Sequence, residues 1–262
     1  MPTSLRQGGD IRPFEPTALE FAGPLRDRVE DGSLRSPQAP GTRWPPALHW
    51  GAMLDYVVAG LGRDAVPFPE GLALQRSLHA RVVAGRAPNS VILLEHTPVY
   101  TAGARTAADE RPTDGTPVVD VDRGGKITWH GPGQLVGYPI IRLPEPIDVV
   151  GHVRRLEIAL IAVLAGLGIT GRRISGRSGV WVGDGTPDKV AAIGVRVADG
   201  VTMHGFALNC SNSLAPYEKI VACGIRDAGV TTVSRLLSRS VHPADLLTAV
   251  RVELDAAFGG AR

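Results

Sequence analysis

The chain of 262 residues lacks the features that define several classes of protein. Its two cysteines, Cys210 and Cys223, are too few for a disulfide framework, so we expect reduced thiols and a cytoplasmic location. No apolar run approaches the ~18 residues of a membrane span, and the first residues lack the apolar core of a signal peptide. The net charge is +2 and no block of Lys and Arg stands out. We therefore expect neither a membrane nor a nucleic-acid partner.

Metal-ligand patterns and lysines are also scarce. The two cysteines and the scattered histidines do not have the spacing of a zinc site, so we expect no metal. Only three of the 28 basic residues are lysines, namely Lys126, Lys189 and Lys219. A desolvated lysine can release a proton near neutral pH and an arginine cannot, so these lysines are candidates for a titratable amine.

The first 50 residues differ in composition from the rest. They contain eight prolines, with six arginines balancing six acidic residues, and show no sustained periodicity. We predict a poorly ordered Pro/Arg-rich tail over residues 1–50, for which Met53 is a plausible alternative start. A single domain is then expected over residues 51–262.

Hydrophobic periodicity predicts both helices and strands in this domain. Helices are predicted over 71–84, 149–167 and 243–258, with Asp148 as the cap of the second helix. Strands are predicted over 54–61, 91–94, 118–121, 135–143, 179–183, 190–198 and 201–210. Because no regular βαβ rhythm appears, the sequence favours an α+β fold with a mixed or mainly antiparallel sheet.

The most distinctive segment is the glycine-rich run over residues 123–134, Arg-Gly-Gly-Lys-Ile-Thr-Trp-His-Gly-Pro-Gly-Gln. Glycines let a ligand approach the backbone closely, and the interleaved polar side chains offer donors to an acyl or carboxyl group. The segment therefore indicates a binding loop, with a hairpin corner as the alternative.

Two further segments contain reactive side chains. Cys223 lies between a small residue and a glycine, and a thiolate attacks thioesters well. The alternative is a buried cysteine that packs as a small apolar residue. Lys189 opens the apolar run Lys-Val-Ala-Ala-Ile-Gly, where partial burial would lower its pKa. The alternative is a solvated lysine at the start of a strand.

These segments resemble the signatures of the lipoyl/octanoyl transferase family over roughly residues 55–240. The glycine-rich run and the Lys-x-Ala-small-Ile-Gly run match, as do Glu-His at 95–96 and His-Gly-Phe-Ala-Leu-Asn at 204–209. His96 is open to two interpretations, a substrate contact or a hydrogen-bonded structural histidine. The family has Pro-Cys-Gly-Ile around the cysteine, and here Ala222 replaces the proline.

The resemblance implies the fold shared by lipoate and biotin protein ligases. It also implies an acyltransferase that moves an octanoyl (or lipoyl) group from acyl carrier protein to a specific lysine of lipoyl domains, the first step of endogenous protein lipoylation. The acceptors would be the lipoyl domains of 2-oxoacid dehydrogenases and the glycine-cleavage H protein. No cofactor is implied, because the donor thioester is already activated.

The resemblance also assigns roles to individual residues. Cys223 would form the acyl-thioester intermediate, and Lys189 would act as acid and base and lower the pKa of the thiol. The implied substrate-binding residues are Arg123, Gly124, Gly125, Lys126, Ile127, Thr128, Trp129, His130, Ala192, Ile193, Gly194, Gly205, Phe206 and Ala207.

Three other functions are compatible with these motifs. An ATP-dependent lipoate or biotin ligase of the same fold also uses a lysine but forms an acyl-adenylate. A cysteine thioesterase would release free octanoate. A non-catalytic module that binds carrier proteins would keep its function without Cys223.

Overall fold

The computed structural model describes residues 54–220 and 227–259. The proposed nucleophile Cys223 and the predicted tail over residues 1–50 lie outside the described residues. The division into a tail and one domain therefore stays a prediction.

A mixed β-sheet forms the centre of the described part of the chain. Its eight strands there span Asp55–Gly60 (β1), Ser90–Leu94 (β2), Gln134–Ile140 (β6), Arg172–Ile174 (β7), Arg177–Val182 (β8), Asp188–Ala198 (β9), Val201–Asn209 (β10) and Gly229–Val230 (β11). They run in the order β1-β2-β6-β10-β9-β8-β7, and β11 pairs with β9. The pairs β1–β2 and β11–β9 are parallel, and the other pairs are antiparallel.

A second, smaller sheet contains part of the glycine-rich segment. Its strands span Val99–Ala102 (β3), Val118–Asp120 (β4) and Thr128–His130 (β5). They are ordered β4-β3-β5, with β3 parallel to β4 and antiparallel to β5. Strand β5 thus gives the middle of the glycine-rich run a regular extended backbone.

Helices cover both faces of the main sheet. They span Phe68–Val83 (α1), Val149–Gly166 (α2), Val233–Leu237 (α3) and Pro243–Phe258 (α4). Strand β2 is buried on both faces: Val91 and Leu93 pack in the cluster that holds α2 and α4, whereas Ile92 and Leu94 pack in the cluster that holds α1. This alternation follows from the two-residue period of a strand.

The α+β class with a mixed sheet is confirmed. The Asp148 side chain accepts a hydrogen bond from the Gly151 amide at 2.7 Å and caps α2, as predicted. The C-terminal helix has the predicted bounds, because Pro243 is suited to a first helical turn. Strands β3, β5, β7 and β11 were not predicted. Among the helices of residues 54–220 and 227–259, none has the length and hydropathy of a membrane span.

Candidate active site

A cavity of about 250 Å³ lies between the main sheet and the glycine-rich segment. A single water needs roughly 10–15 Å³, so the cavity has room for an organic group. One part of its lining is apolar and includes Phe68, Val136 and Phe206; another part carries Arg123, Lys126 and Lys189. No carboxylate lines the cavity among the described residues. The arrangement suits an apolar chain that ends in a group where negative charge develops.

The β9–β10 hairpin provides one wall. Ala192, Ile193 and Gly194 in β9 pair with Ala207, Phe206 and Gly205 in β10, in that register, and all six line the cavity. Two of the sequence segments that resembled the family motifs therefore form one continuous surface.

The two glycines of this wall also permit close backbone packing. A Cβ added at Gly194 would lie 2.9 Å from the Gly124 carbonyl oxygen. One added at Gly205 would lie 2.3 Å from the Gly137 carbonyl oxygen and 2.5 Å from a ring carbon of Pro139. A side chain at either position would thus displace backbone, so these glycines support the fold as well as the cavity.

The glycine-rich segment splits into two faces. Lys126, Thr128 and His130 line the cavity, whereas Ile127 and Trp129 pack with Tyr100 in a separate apolar cluster. This split follows from the alternation of side chains in and next to strand β5.

Arg123 and Gly125 also line the cavity, and Gly124 lines an adjoining groove. Of the predicted substrate-binding residues, Gly124, Ile127 and Trp129 do not line the cavity itself.

Arg123 organises the backbone of this segment. Its buried guanidinium donates to the carbonyl oxygens of Gly124 and Lys126 at 3.1 and 2.9 Å, and to the carbonyl and hydroxyl oxygens of Thr101 at 2.9 Å each. The planar guanidinium thus ties the glycine-rich loop to strand β3. The Lys126 ammonium forms a salt bridge with the buried Glu110 carboxylate.

Lys189 lies near the start of β9 and is 7% exposed. Its ammonium stands over the ring of the buried Trp181, 4.5 Å from the ring centroid, an arrangement in which the aromatic face partly replaces water around the charge. The short strand β11 pairs with β9 here, with Val230 opposite Lys189. The alternative of a fully solvated lysine does not hold.

Buried histidines surround the cavity in the neutral form. Burial lowers the pKa of His130 to about 3 and that of His204 to about 4. His130 Nδ1 donates to the Gln134 side chain at 2.7 Å, and its Nε2 accepts a 3.3 Å hydrogen bond from the Thr101 hydroxyl. His204 has a φ of 58°, and its Nε2 donates to Asp122 at 2.9 Å. Such a left-handed conformation in a non-glycine residue is a feature that clusters at functional sites.

His96 is a structural residue in this fold. It is fully buried, its Nδ1 donates to the Val66 carbonyl oxygen at 2.7 Å and its Nε2 accepts from the Tyr138 hydroxyl at 2.6 Å. Burial lowers the pKa of His96 to about 4. His96 does not line the cavity, whereas Tyr138 does. The second of the two interpretations of His96 is therefore the one that the geometry favours.

The cysteine that the structure describes is inert. Cys210 is fully buried, and burial raises the pKa of its thiol to about 12. A thiol with such a pKa is not a nucleophile near neutral pH. No group of His, Cys, Asp and Glu within residues 54–220 and 227–259 could hold a metal ion.

Sequence reasoning missed several residues of the cavity wall. Thr101 belongs to the segment that follows Glu-His, so its neighbourhood carried a signal. No sequence signal marked Phe68 and Val136 as cavity residues, because apolar residues in a helix and a strand are typical of any core. Arg105, Arg177 and Ser178 come from loops or strand ends whose place depends on tertiary contacts.

Comparison with known proteins identifies the family. The model of the lipoyl protein ligase A/B catalytic domain family matches residues 67–255. Over 208 residues the chain is 68% identical to an octanoyltransferase of Clavibacter sepedonicus, covering 77% of this chain and 90% of that protein. It is 56% identical over 206 residues to an octanoyltransferase of Thermobifida fusca, covering 76% and 87% of the two chains.

Solved structures with the same fold are more distant in sequence. A bipartite lipoate protein ligase of Thermoplasma acidophilum superposes with a TM-score of 0.60 at 14% identity, covering 78% of this chain and 83% of that one. A lipoate-protein ligase A bound with ATP superposes with a TM-score of 0.58 at 13% identity, covering 78% and 85%. The predicted lipoate-ligase fold is confirmed. The family match and the similarity to the octanoyltransferases show that the chain belongs to the lipoyl/octanoyl transferase family and is an acyltransferase, and its fold is that of the family.

Proposed function

We propose that the protein transfers an octanoyl (or lipoyl) group from acyl carrier protein to a specific lysine of lipoyl domains through a thioester on Cys223. The acceptors are the lipoyl domains of 2-oxoacid dehydrogenases and the glycine-cleavage H protein, in the cytoplasm. The observation that carries the proposal is the buried Lys189 on the wall of a cavity whose facing strands are apolar. The octanoyltransferase relatives support the reaction class.

Cys223 is the better candidate for the nucleophile. Cys210 is buried and its thiol pKa is raised, which leaves Cys223 as the other cysteine of the chain. The described residue Asp227 forms a salt bridge at 2.7 Å with Arg177, which lines the cavity. Four residue steps separate Cys223 from Asp227 and span at most about 14 Å. The connectivity is thus compatible with a thiol at the cavity.

In the first half-reaction the Cys223 thiolate attacks the carbonyl carbon of the octanoyl thioester. The bond from this carbon to the phosphopantetheine sulfur breaks, and the leaving thiolate takes up a proton. The positive charges of Arg123 and Lys189, which line the cavity, stabilise the charge that develops on the carbonyl oxygen and the sulfur. The product is an octanoyl thioester on Cys223.

In the second half-reaction the ε-amine of the acceptor lysine attacks this thioester. An amide bond forms, the Cys223 thiolate leaves, and the amine loses a proton. We assign the proton transfers to Lys189, because the three nearby histidines are held neutral by burial and hydrogen bonds. No ATP enters, since one activated acyl bond is exchanged for another and then for an amide.

A defined reconstitution tests the proposal. The protein is mixed with octanoyl-acyl carrier protein and an apo lipoyl domain, without ATP, and the mass of the domain is followed. We expect the domain to gain one octanoyl group. A parallel reaction with free octanoate and ATP should give none.

The rival functions predict different products in the same experiment. Transfer only from octanoate and ATP would identify a ligase. Release of free octanoate without modification of the domain would identify a thioesterase. An unmodified donor and acceptor that remain bound to the protein would identify a binding module.

A further inference from the structure

A second groove adjoins the cavity where helix α2 passes strands β7 and β8. It encloses about 790 Å³. Arg105, Gly125, Arg177, Ser178, Ile193 and Gly194 line both the groove and the cavity. The groove is therefore continuous with the cavity, and a ligand seated in the cavity can extend along it.

The groove is rich in arginine. Arg105, Arg154 and Arg173 line it with exposed side chains, and within the described ranges none of them forms a salt bridge. The one carboxylate that lines it there is Glu157, which is 6% exposed and accepts a hydrogen bond from the Gly179 amide at 2.9 Å. Glu157 is therefore buried whereas the three arginines are exposed, so the open face of the groove is cationic.

This concentration of charge is local. The whole chain has a net charge of +2, with 28 basic and 26 acidic residues. If these charges were spread evenly over the surface, no groove would carry several arginines and a single carboxylate. Burial raises the pKa of Glu157, while Arg173 and Arg154 act in the opposite direction. Arg154 and Arg173 thus lie near Glu157, and the arginines of the lining outnumber this one carboxylate among the described residues.

The remainder of the groove is apolar. Val149 and Val150, in the first turn of α2, are 38% and 60% exposed, and Val153 and Ile174 extend the same lining. A ligand that fits has a neutral, flexible stretch that contacts these residues and one anionic group for the arginines.

We propose that this groove binds the phosphopantetheine arm of the acyl donor, with the arginines Arg154 and Arg173 holding its phosphodiester. The inference rests on the proposed function. The arm combines neutral amides and methylenes with a phosphodiester at the end remote from the thioester, and the groove offers an apolar lining for the first and arginines for the second. A guanidinium matches a phosphate with two parallel hydrogen bonds, which an ammonium cannot do.

A comparison of two small donors tests the proposal. Octanoyl-phosphopantetheine and octanoyl-pantetheine differ only in the phosphate. Acyl transfer from each is measured for the wild type, for Arg154→Ala/Arg173→Ala and for the matched control Arg81→Ala/Arg86→Ala, whose exposed arginines line neither the cavity nor the groove. Thermal unfolding of each variant checks that the fold is intact.

We expect the ratio of kcat/KM for the phosphorylated donor to that for the dephosphorylated donor to fall at least about tenfold in the groove variant, from the loss of charge-assisted hydrogen bonds. The ratio should stay at the wild-type value in the control. Calorimetric titration with non-acylated phosphopantetheine and with pantetheine should show the same selectivity without turnover.

Several results would overturn the inference. In the Arg154→Ala/Arg173→Ala variant, kcat/KM could fall equally with both small donors or with neither of them. It could also fall only with the complete acyl carrier protein as donor. Tighter binding of ATP than of phosphopantetheine would assign the arginines to a nucleotide instead. The wild type could also transfer an octanoyl group from neither small donor nor the carrier protein, and still bind phosphopantetheine more tightly than pantetheine. That result would contradict the proposed reaction and leave the assignment of the groove intact.

Discussion

Lys189 shows how the environment of one residue sets its chemistry. It is 7% exposed, its ammonium stands over Trp181, and it shares a cavity wall with Arg123 and Lys126. Lys219, by contrast, is exposed and pairs with Asp114 at the surface.

The substitution Lys189→Arg separates the two roles of this lysine. Arginine keeps the positive charge but does not become a neutral base near pH 7, so transfer to the acceptor lysine should fall about 100-fold or more. Formation of the acyl-enzyme should survive substantially. Single-turnover rates of both half-reactions make the measurement, with Lys219→Arg as a matched control. Wild-type rates in both steps would remove Lys189 from the catalytic residues.

A second residue-scale prediction concerns stability. His152 in α2 is buried against Phe258, and within the described part of the chain neither ring nitrogen has a hydrogen-bond partner. Burial lowers the pKa of His152 to about 4, below the 6.5 of an exposed histidine. Between these values the unfolded chain binds the proton more strongly, so stability is full above pH 6.5 and falls as the pH drops towards 4.

His152→Leu should therefore raise the free energy of unfolding by about 1 kcal/mol at pH 7.5, because an unsatisfied buried polar group is removed. It should also make the loss of stability between pH 6.5 and 4 less steep. Urea unfolding across this range measures both effects. A lower stability with an unchanged pH slope would show that the ring contributes more through packing than it costs through its unpaired nitrogens.

At the scale of elements, the β9–β10 hairpin links the fold to the site. Gly194 and Gly205 face each other across the pair, each close to a backbone oxygen of a neighbouring segment. The family resemblance placed both glycines among the substrate-binding residues. The close approach to Gly124 and Gly137 shows a packing role in addition.

Gly194→Ala and Gly205→Ala should each lower the free energy of unfolding by about 1–3 kcal/mol, as overpacking does, with the larger loss at Gly205. Gly185→Ala is the control, because a Cβ there meets nothing within 4 Å. Its effect should stay within about 0.5 kcal/mol. Chemical denaturation measures all three variants. Unchanged stability together with a shortened acyl-chain preference would show that the two glycines only shape the cavity.

How much the sequence predicted differs between elements for physical reasons. Helix α4 was predicted at its bounds, since Pro243 and a clear apolar stripe are local signals. Strand β5 was missed, because three residues among glycines are too few to show a period of two. The family resemblance grouped Ile127 and Trp129 with the binding residues, and alternation in and next to β5 turns both side chains towards Tyr100. The groove depends on contacts between distant segments, which no local pattern reveals.

At the scale of the whole molecule, the fold brings separate motifs to one place. The glycine-rich segment, the start of β9 and the centre of β10 are far apart in the chain, yet they line one cavity with a cationic wall. The family model begins at residue 67, after the Pro/Arg-rich stretch. The division into a tail over residues 1–50 and a catalytic domain over residues 51–262 stays a prediction.

The central claim is that an acyl group passes through a thioester on Cys223. Intact-mass analysis after mixing with octanoyl-acyl carrier protein, in the absence of an acceptor, tests it most directly. We predict the addition of one octanoyl group, retained in Cys210→Ser, whose buried thiol has a raised pKa, and lost in Cys223→Ala. An adduct located on Cys210, or no adduct while transfer to a lipoyl domain still proceeds, would contradict the account.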